Sequence, residues 1–161
     1  MAKSTRATRL LEQAGIAFTL HSYDYDPQAP QIGLQAAEAL GAEPGAVLKT
    51  LMARVDGKPV IAIVPSDCEV SMKKLAAALQ GKQAQMMPPT EAERISGYKI
   101  GGISAFGQTR LLPCVIEAGA LGRRLVYING GQRGLQVCLD PADAQRMLGA
   151  VAASVVAGTG S

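Results

Sequence analysis

Hydrophobic and polar positions alternate along residues 46–65, AVLKTLMARVDGKPVIAIVP, in two runs that meet at Asp56-Gly57. Asp-Gly is a favoured two-residue hairpin turn, so the stretch predicts two paired strands. Val47, Leu51, Ala53 and Val55 fall on one face of the first run, and Thr50 and Arg54 on the other. By the same alternation Lys49 joins the apolar set, where a charge is costly without a partner. A lysine at a strand end with its stem reaching water, or an edge-strand guard against aggregation, would also occupy such a position.

The pattern elsewhere interleaves helices and strands. Residues 4–14 predict a helix with Ser4 or Thr5 as cap and Gly15 at its end. IAFTLHSY, 16–23, predicts a strand with Ile16, Phe18 and Leu20 on one face and Thr19, His21 and Tyr23 on the other. QIGLQAAEALG predicts a short helix ending at Gly41. Residues 71–81 predict another, capped by Ser71, with Leu75, Ala78 and Leu79 on one side and Gly81 at the end. KQAQMM predicts a short strand stopped by Pro88-Pro89, and Thr90-x-x-Glu93 a capping box for a helix that Gly97 closes. YKIGGISAFGQTR predicts a loop. PCVIEAG, RLVYING and LQVCLD predict strands, the last two paired across the glycine-rich turn 129–134. Asp140-Pro141 starts a C-terminal helix with Asp143 in its first turn, and the Ala/Gly/Ser tail after residue 153 is expected to fray. The hairpins exclude a simple βαβ array. The expectation is one α+β domain over residues 1–161, with a mixed, mainly antiparallel sheet and flanking helices.

Composition narrows the class. With 161 residues, 48% hydrophobic and 18% charged, the chain has an ordinary globular balance, and with two Phe and no Trp its core must be aliphatic. The net charge of +3 is a mild bias towards anionic partners and alone no argument for nucleic acid. No apolar run is long enough to span a membrane, and the N-terminal residues lack the apolar core of a secretory signal. Cys68, Cys114 and Cys138 are far apart and form no CxxC, which fits reduced cytosolic thiols, and a single histidine excludes a His-rich metal site.

GxSxG, HExxH and the P-loop are all missing. His21 is read as a half-buried strand residue bonded to a neighbour, and the three cysteines as small packing residues. Two glycine-rich segments are more informative. Gly97, Gly101, Gly102 and Gly107 bracket Ser104, and Asn129-Gly130-Gly131 with Gly134 follow a strand. Such loops permit positive φ and present bare N–H donors to a ligand, though each also occurs as a plain tight turn. Together with Lys49 they point to an anion or carbonyl pocket, if the sheet brings them together.

FTLHSYDYDP, VLKTL, the helix 71–81, the segment Ile95–Tyr98, GGIS with Gly107-Gln108, and VYINGGQRGL occur in this order. Over nearly the whole chain the set resembles the YbaK/EbsC family of aminoacyl-tRNA deacylases, relatives of the editing domain of bacterial prolyl-tRNA synthetases. The resemblance implies a compact mixed β-barrel with flanking helices and release of a wrongly attached amino acid from tRNA. It implies a cytoplasmic enzyme without metal or cofactor, whose substrate is the aminoacylated 3′ end of tRNA. Prolyl-tRNA synthetase is the implied partner, with no role for DNA or a membrane. The best-known branch clears cysteine from proline tRNA, a second checkpoint where binding alone discriminates poorly.

By the same resemblance Lys49, Gly101 and Asn129 carry the chemistry, and Tyr23, Thr50, Gly102, Ile103, Ser104 and Gly130 surround the substrate. Lys49 would hold the anionic 3′ end, and the amides around Gly101 and Gly102 would stabilise an oxyanion. The substrate's own thiol would attack its carbonyl. Asn129 and Gln136 depart from the cysteine-clearing relatives, which carry serine and an acidic residue there. Clearance of another small amino acid such as alanine, or a non-catalytic domain that binds a tRNA end or a synthetase, are the alternative readings. Lys73, Lys74, Lys82, Arg123 and Arg124 are the candidates for an outer basic surface.

Overall fold

The structure, a computed structural model, describes residues 4–29 and 32–157. Its central hairpin follows from the turn: Asp56 and Gly57 both take positive φ, 50° and 81°, as a two-residue turn matched to strand twist requires. Strands β2 (Leu48–Val55) and β3 (Lys58–Pro65) pair antiparallel in full register, from Val55 opposite Lys58 to Leu48 opposite Pro65. Strand β4 (Ala84–Met86) adds to β2 antiparallel. On the other side, β5 (Cys114–Glu117) adds to β3, and β8 (Val151–Ala153) to β5, both parallel. A second, three-stranded sheet has β7 (Leu135–Leu139) between β1 (Phe18–Ser22) and β6 (Val126–Asn129), all antiparallel.

The main core lies between the sheets. Leu48, Met52, Ile61 and Ile63 from one meet Val126, Ile128, Val137 and Leu139 from the other. Helices α1 (Arg6–Gln13), α4 (Pro89–Ser96) and α5 (Pro141–Leu148) seal its rim through Ala7 and Leu11, Ala92 and Ile95, and Ala144. The opposite face of the hairpin carries Ala53, Val55, Val60, Ala62 and Val64, packed under Leu75 and Ala76 of α3 (Met72–Ala78). Both faces of β2 are therefore covered. Thr50 and Arg54 do not mark a solvent face, because Leu48 and Met52 share it and are buried. Helix α2 (Ile32–Leu40) buries Ala36 and Ala37 against Val47. It ends at Gly41 as expected; Gln31, where the sequence pattern began it, lies outside the described residues.

The α+β class and the mainly antiparallel pairing stand, but no closed barrel forms among the described residues. The two sheets approach at a parallel bridge from Val47 to Tyr127, and β1, β4 and β8 remain edges. Local signals were redistributed. Helix α4 starts at Pro89, whose fixed φ suits a first helical position, so the Thr90–Glu93 capping box does not form. The Glu93 carboxylate instead accepts from the Ile100 N–H at 2.8 Å. A capping box forms at α1, between Thr5 and Thr8. Gln80, not Gly81, takes the left-handed conformation after α3. Through residue 157 the tail is docked rather than frayed. The buried Glu117 carboxylate accepts from the Val155 and Val156 N–H groups at 2.7 and 3.3 Å, and Val155 is fully buried. Residues 158–161 lie outside the described residues.

Thr5 ties a helix cap to a loop, since its Oγ1 also donates to the Gly130 carbonyl at 2.6 Å. Thr5→Val keeps the shape and removes both bonds. We expect it to lower stability by about 1–2 kcal/mol, read as a lower urea midpoint with unchanged slope. An unchanged midpoint would show that the cap contributes nothing.

Candidate functional site

A cavity of about 260 Å³ opens beside the Val47–Tyr127 bridge, with Val47 in its wall. Six residues singled out from the sequence line it: Tyr23, Lys49, Thr50, Gly101, Ile103 and Asn129. They come from the end of β1, the start of β2, the 98–110 loop and the end of β6, so the approach of the two sheets is what collects them. Gly102, Ser104 and Gly130 do not line it. Ser104 is fully buried and its Oγ accepts from the Phe106 N–H at 3.1 Å, which makes it a turn residue of the core. A Cβ on Gly130 would press on the Leu135 side chain at 3.0 Å, so packing requires glycine there.

The two glycine loops touch. A Cβ on Gly102 would come within 2.8 Å of the Arg133 backbone nitrogen, and one on Gly101, at φ 88°, would overlap the Tyr25 hydroxyl. Asn129 holds this contact. Its Nδ2 donates to the Gly101 carbonyl at 3.2 Å, and its Oδ1 accepts from the Gly131 and Gln132 N–H groups at 2.7 and 3.3 Å. Both ends of the carboxamide are therefore engaged by the two loops. The Gly102 N–H is also engaged, donating to the Lys99 carbonyl at 2.8 Å, so the expectation that it supplies an oxyanion donor is corrected. The Gly101 and Ile103 amides make no such bond among the described residues.

The cavity's electrostatics are one-sided. Lys49 has no salt-bridge partner among the described residues, and no carboxylate lines the wall. Two buried acceptors in the wall, Thr50 Oγ1 and Gln136 Oε1, have no hydrogen-bond partner among the described residues. Leaving such a group unsatisfied costs about 1–3 kcal/mol, so each has room for a donor from water or a ligand. Burial pushes the Tyr23 phenol above its usual range; the neighbouring Gln136 side chain partly offsets this and Tyr25 adds to it. Gln136 is a polar lining residue that the sequence marked only as a departure from the cysteine-clearing relatives, not as part of the site. It stands opposite His21 and Asn129 in the sheet, and its signal was a polar residue between Leu135 and Val137 in a strand buried throughout.

Other candidates stay outside. His21 bonds Thr19 Oγ1 at 2.8 Å and sets its ring edge-on to Tyr127 at 5.3 Å. Burial pushes the Cys114 thiol up to about 12 and raises those of Cys68 and Cys138 as well, the opposite of nucleophile activation. Among the described residues no group of three His, Cys, Asp or Glu side chains could hold a metal ion, and no helix is long and apolar enough to cross a membrane.

A model of the aminoacyl-tRNA editing domain family matches residues 26–147. An Enterococcus faecalis protein, EbsC, described as a candidate Cys-tRNA(Pro)/Cys-tRNA(Cys) deacylase, is 31% identical over 142 residues, covering 86% of this chain and 85% of its own. The proline–tRNA ligase of Acidithiobacillus ferrooxidans is 31% identical over 88 residues, 55% of this chain and 15% of the ligase. A solved structure described as a candidate trans-editing enzyme for prolyl-tRNA synthetase superposes with a TM-score of 0.80. It covers 98% of this chain and 100% of its own at 23% identity, a likeness of fold.

The thiols give a direct check on these surroundings. Under iodoacetamide at neutral pH, Cys68 should be alkylated first and Cys114 only on unfolding. Because burial favours the neutral Cys114 thiol, its contribution to stability is intact below the unfolded pKa of about 8.5 and declines as pH rises towards 12. Rapid alkylation of native Cys114 would contradict the burial that sets its pKa.

Proposed function

Because the chain belongs to the aminoacyl-tRNA editing domain family, we propose that it is a deacylase that releases a wrongly attached amino acid from the 3′ end of tRNA. The observation that carries this reading is the acid-free cavity. It gathers an unpaired ammonium, two bare buried acceptors and the Gly101 amide around a space with no Ser, Cys or His among the described residues of its wall. At about 260 Å³ it lies below the ~300–1,000 Å³ of drug-sized pockets, which suits an aminoacyl group with part of its ribose.

In this reading Lys49 Nζ holds the ribose or the terminal phosphate as a point charge. The Gly101 N–H meets the carbonyl oxygen as negative charge develops on it; one such donor is worth about 2.7–4 kcal/mol of barrier in hydrolases. Gln136 Oε1 and Thr50 Oγ1 accept from donors on the aminoacyl group. The preferred substrate is cysteine on tRNA(Pro), as in the description of EbsC. Its thiol gives its proton to solvent and the sulfur attacks its own ester carbonyl; the C–S bond closes a thiolactone, the ester C–O bond breaks, and the ribose oxygen leaves taking a proton back from solvent. The thiol is already tethered, so positioning supplies most of the acceleration. Prolyl-tRNA synthetase is the proposed partner that presents the mischarged product at high effective concentration.

A second reading rests on Asn129 and Gln136. With the Asn129 carboxamide turned into the loops, the polar side chains left in the wall are those of Tyr23, Lys49, Thr50 and Gln136, none of which requires a thiol. Alanine or another small residue would then leave by attack of water. Release from Cys-, Ala- and Pro-tRNA(Pro), with and without the synthetase, separates the two readings; release from none of them sinks both in favour of a binding domain.

Lys49→Ala should lower deacylation about 10²–10³-fold while the circular dichroism spectrum and melting temperature stay near those of the parent. The side chain has no salt-bridge partner to strand, so folding should not suffer. Normal turnover in a folded Lys49→Ala protein would refute the assignment.

A further inference from the structure

Behind the Gly101–Gly102 wall lies a second cleft of about 410 Å³, lined by Tyr98, Lys99, Gln132, Arg133 and the glycines 97, 102 and 131. Its cations are set in place. Arg133 Nε donates to the Ile100 carbonyl at 2.7 Å, and its guanidinium lies 5.5 Å from the Tyr25 ring centre. Arg6 repeats the arrangement, stacked 4.7 Å over Tyr98 and donating to the Gly97 carbonyl at 3.0 Å. Lys99 is exposed, and neither it nor Arg133 or Arg6 has a salt-bridge partner among the described residues. Among the described residues no carboxylate lines the cleft, and the nearby Glu93 accepts from the Ile100 N–H.

The cations singled out from the sequence are placed differently. Arg123 is paired with Glu43, and Lys74 donates to the Val156 carbonyl. Lys73 and Lys82 line a separate groove that also holds the Asp56 carboxylate.

We propose that this cleft binds the RNA phosphodiester backbone that leads to the aminoacylated nucleotide, with Arg133 and Lys99 as the phosphate contacts and Arg6 at the margin. The inference rests on the deacylase reading and adds the path of the RNA. Gly101 borders the first cavity and Gly102 the second, so one peptide step separates the space for the ester from the space for the phosphates. A guanidinium fixed through Nε keeps both terminal NH₂ groups for a phosphate, the bidentate geometry arginine favours. Tyr98 is buried and covered by Arg6, and Arg133 lies over Tyr25. These rings are therefore not platforms for bases, and the cleft addresses the backbone.

The test compares the parent with Arg133→Gln and Lys99→Gln on two substrates. These are Cys-tRNA(Pro) and cysteinyl-adenosine, an ester without any phosphodiester. Each variant should lose about 5–10-fold in kcat/KM on the tRNA, mostly through KM, and the logarithmic salt slope should become shallower by about 0.7 per lost contact. On cysteinyl-adenosine both should match the parent within about twofold. Equal activity on tRNA, or an equal loss on both substrates, overturns the proposal. Fluorescence anisotropy of a short single-stranded RNA ending in CCA gives a readout independent of turnover. Weaker binding by both variants supports the cleft even if the parent deacylates nothing, an outcome that would remove the deacylase reading alone. Unchanged binding overturns the cleft whatever the turnover.

Discussion

The contact between the two glycine loops is the constraint on which the site depends. Only residues without a side chain fit where Gly102 meets the 132–133 backbone, and one carboxamide, that of Asn129, bonds both loops at once. That contact separates two recesses of different character, a small cavity with bare acceptors on one side and an open cationic cleft on the other. It also reaches the first helix, because the Thr5 hydroxyl that caps α1 holds the Gly130 carbonyl. A side chain at Gly102 would therefore disturb the loops, the cavity wall and the cleft together.

The cavity exists because two sheets approach without closing. Between them the core is aliphatic and tight, with Ile63, Ile116, Ile128 and Val137 fully buried. At the Val47–Tyr127 bridge the filling stops, and two adjacent polar residues of β2, Lys49 and Thr50, border the space from opposite faces of the strand. Two polar groups in this wall run against stability. An unsatisfied Thr50 hydroxyl and Gln136 carbonyl each cost about 1–3 kcal/mol, which a packed Val or Leu would not. Local disagreement between a residue and its surroundings of this kind is expected at functional positions.

Much of this was legible in the chain. The Asp56-Gly57 turn, the alternation around Lys49, the Ser71 and Asp140 caps and the paired strands flanking 129–134 rest on short-range rules, and they form where those rules put them. The departures come from tertiary competition. Pro89 outweighed Thr90 for the start of α4, and Glu93, freed from its box, served the Ile100 amide. The tail docks because a buried carboxylate, Glu117, lies 38 residues upstream of its first partner amide, a pairing no local pattern encodes. The meeting of Tyr23, Lys49, Gly101 and Asn129 was equally non-local, and so was the role of Gln136. Its polar side chain is informative only once β7 is seen to be buried on both faces.

The central claim is that the cavity between the sheets receives the aminoacylated end of an RNA. A crystal structure with a non-cleavable amide analogue of cysteinyl-adenosine tests it directly. The account predicts the aminoacyl group inside the cavity, with donors on Thr50 Oγ1 and Gln136 Oε1, its carbonyl oxygen at the Gly101 N–H, and the ribose near Lys49. An analogue bound elsewhere on the surface, with the cavity empty, would contradict it.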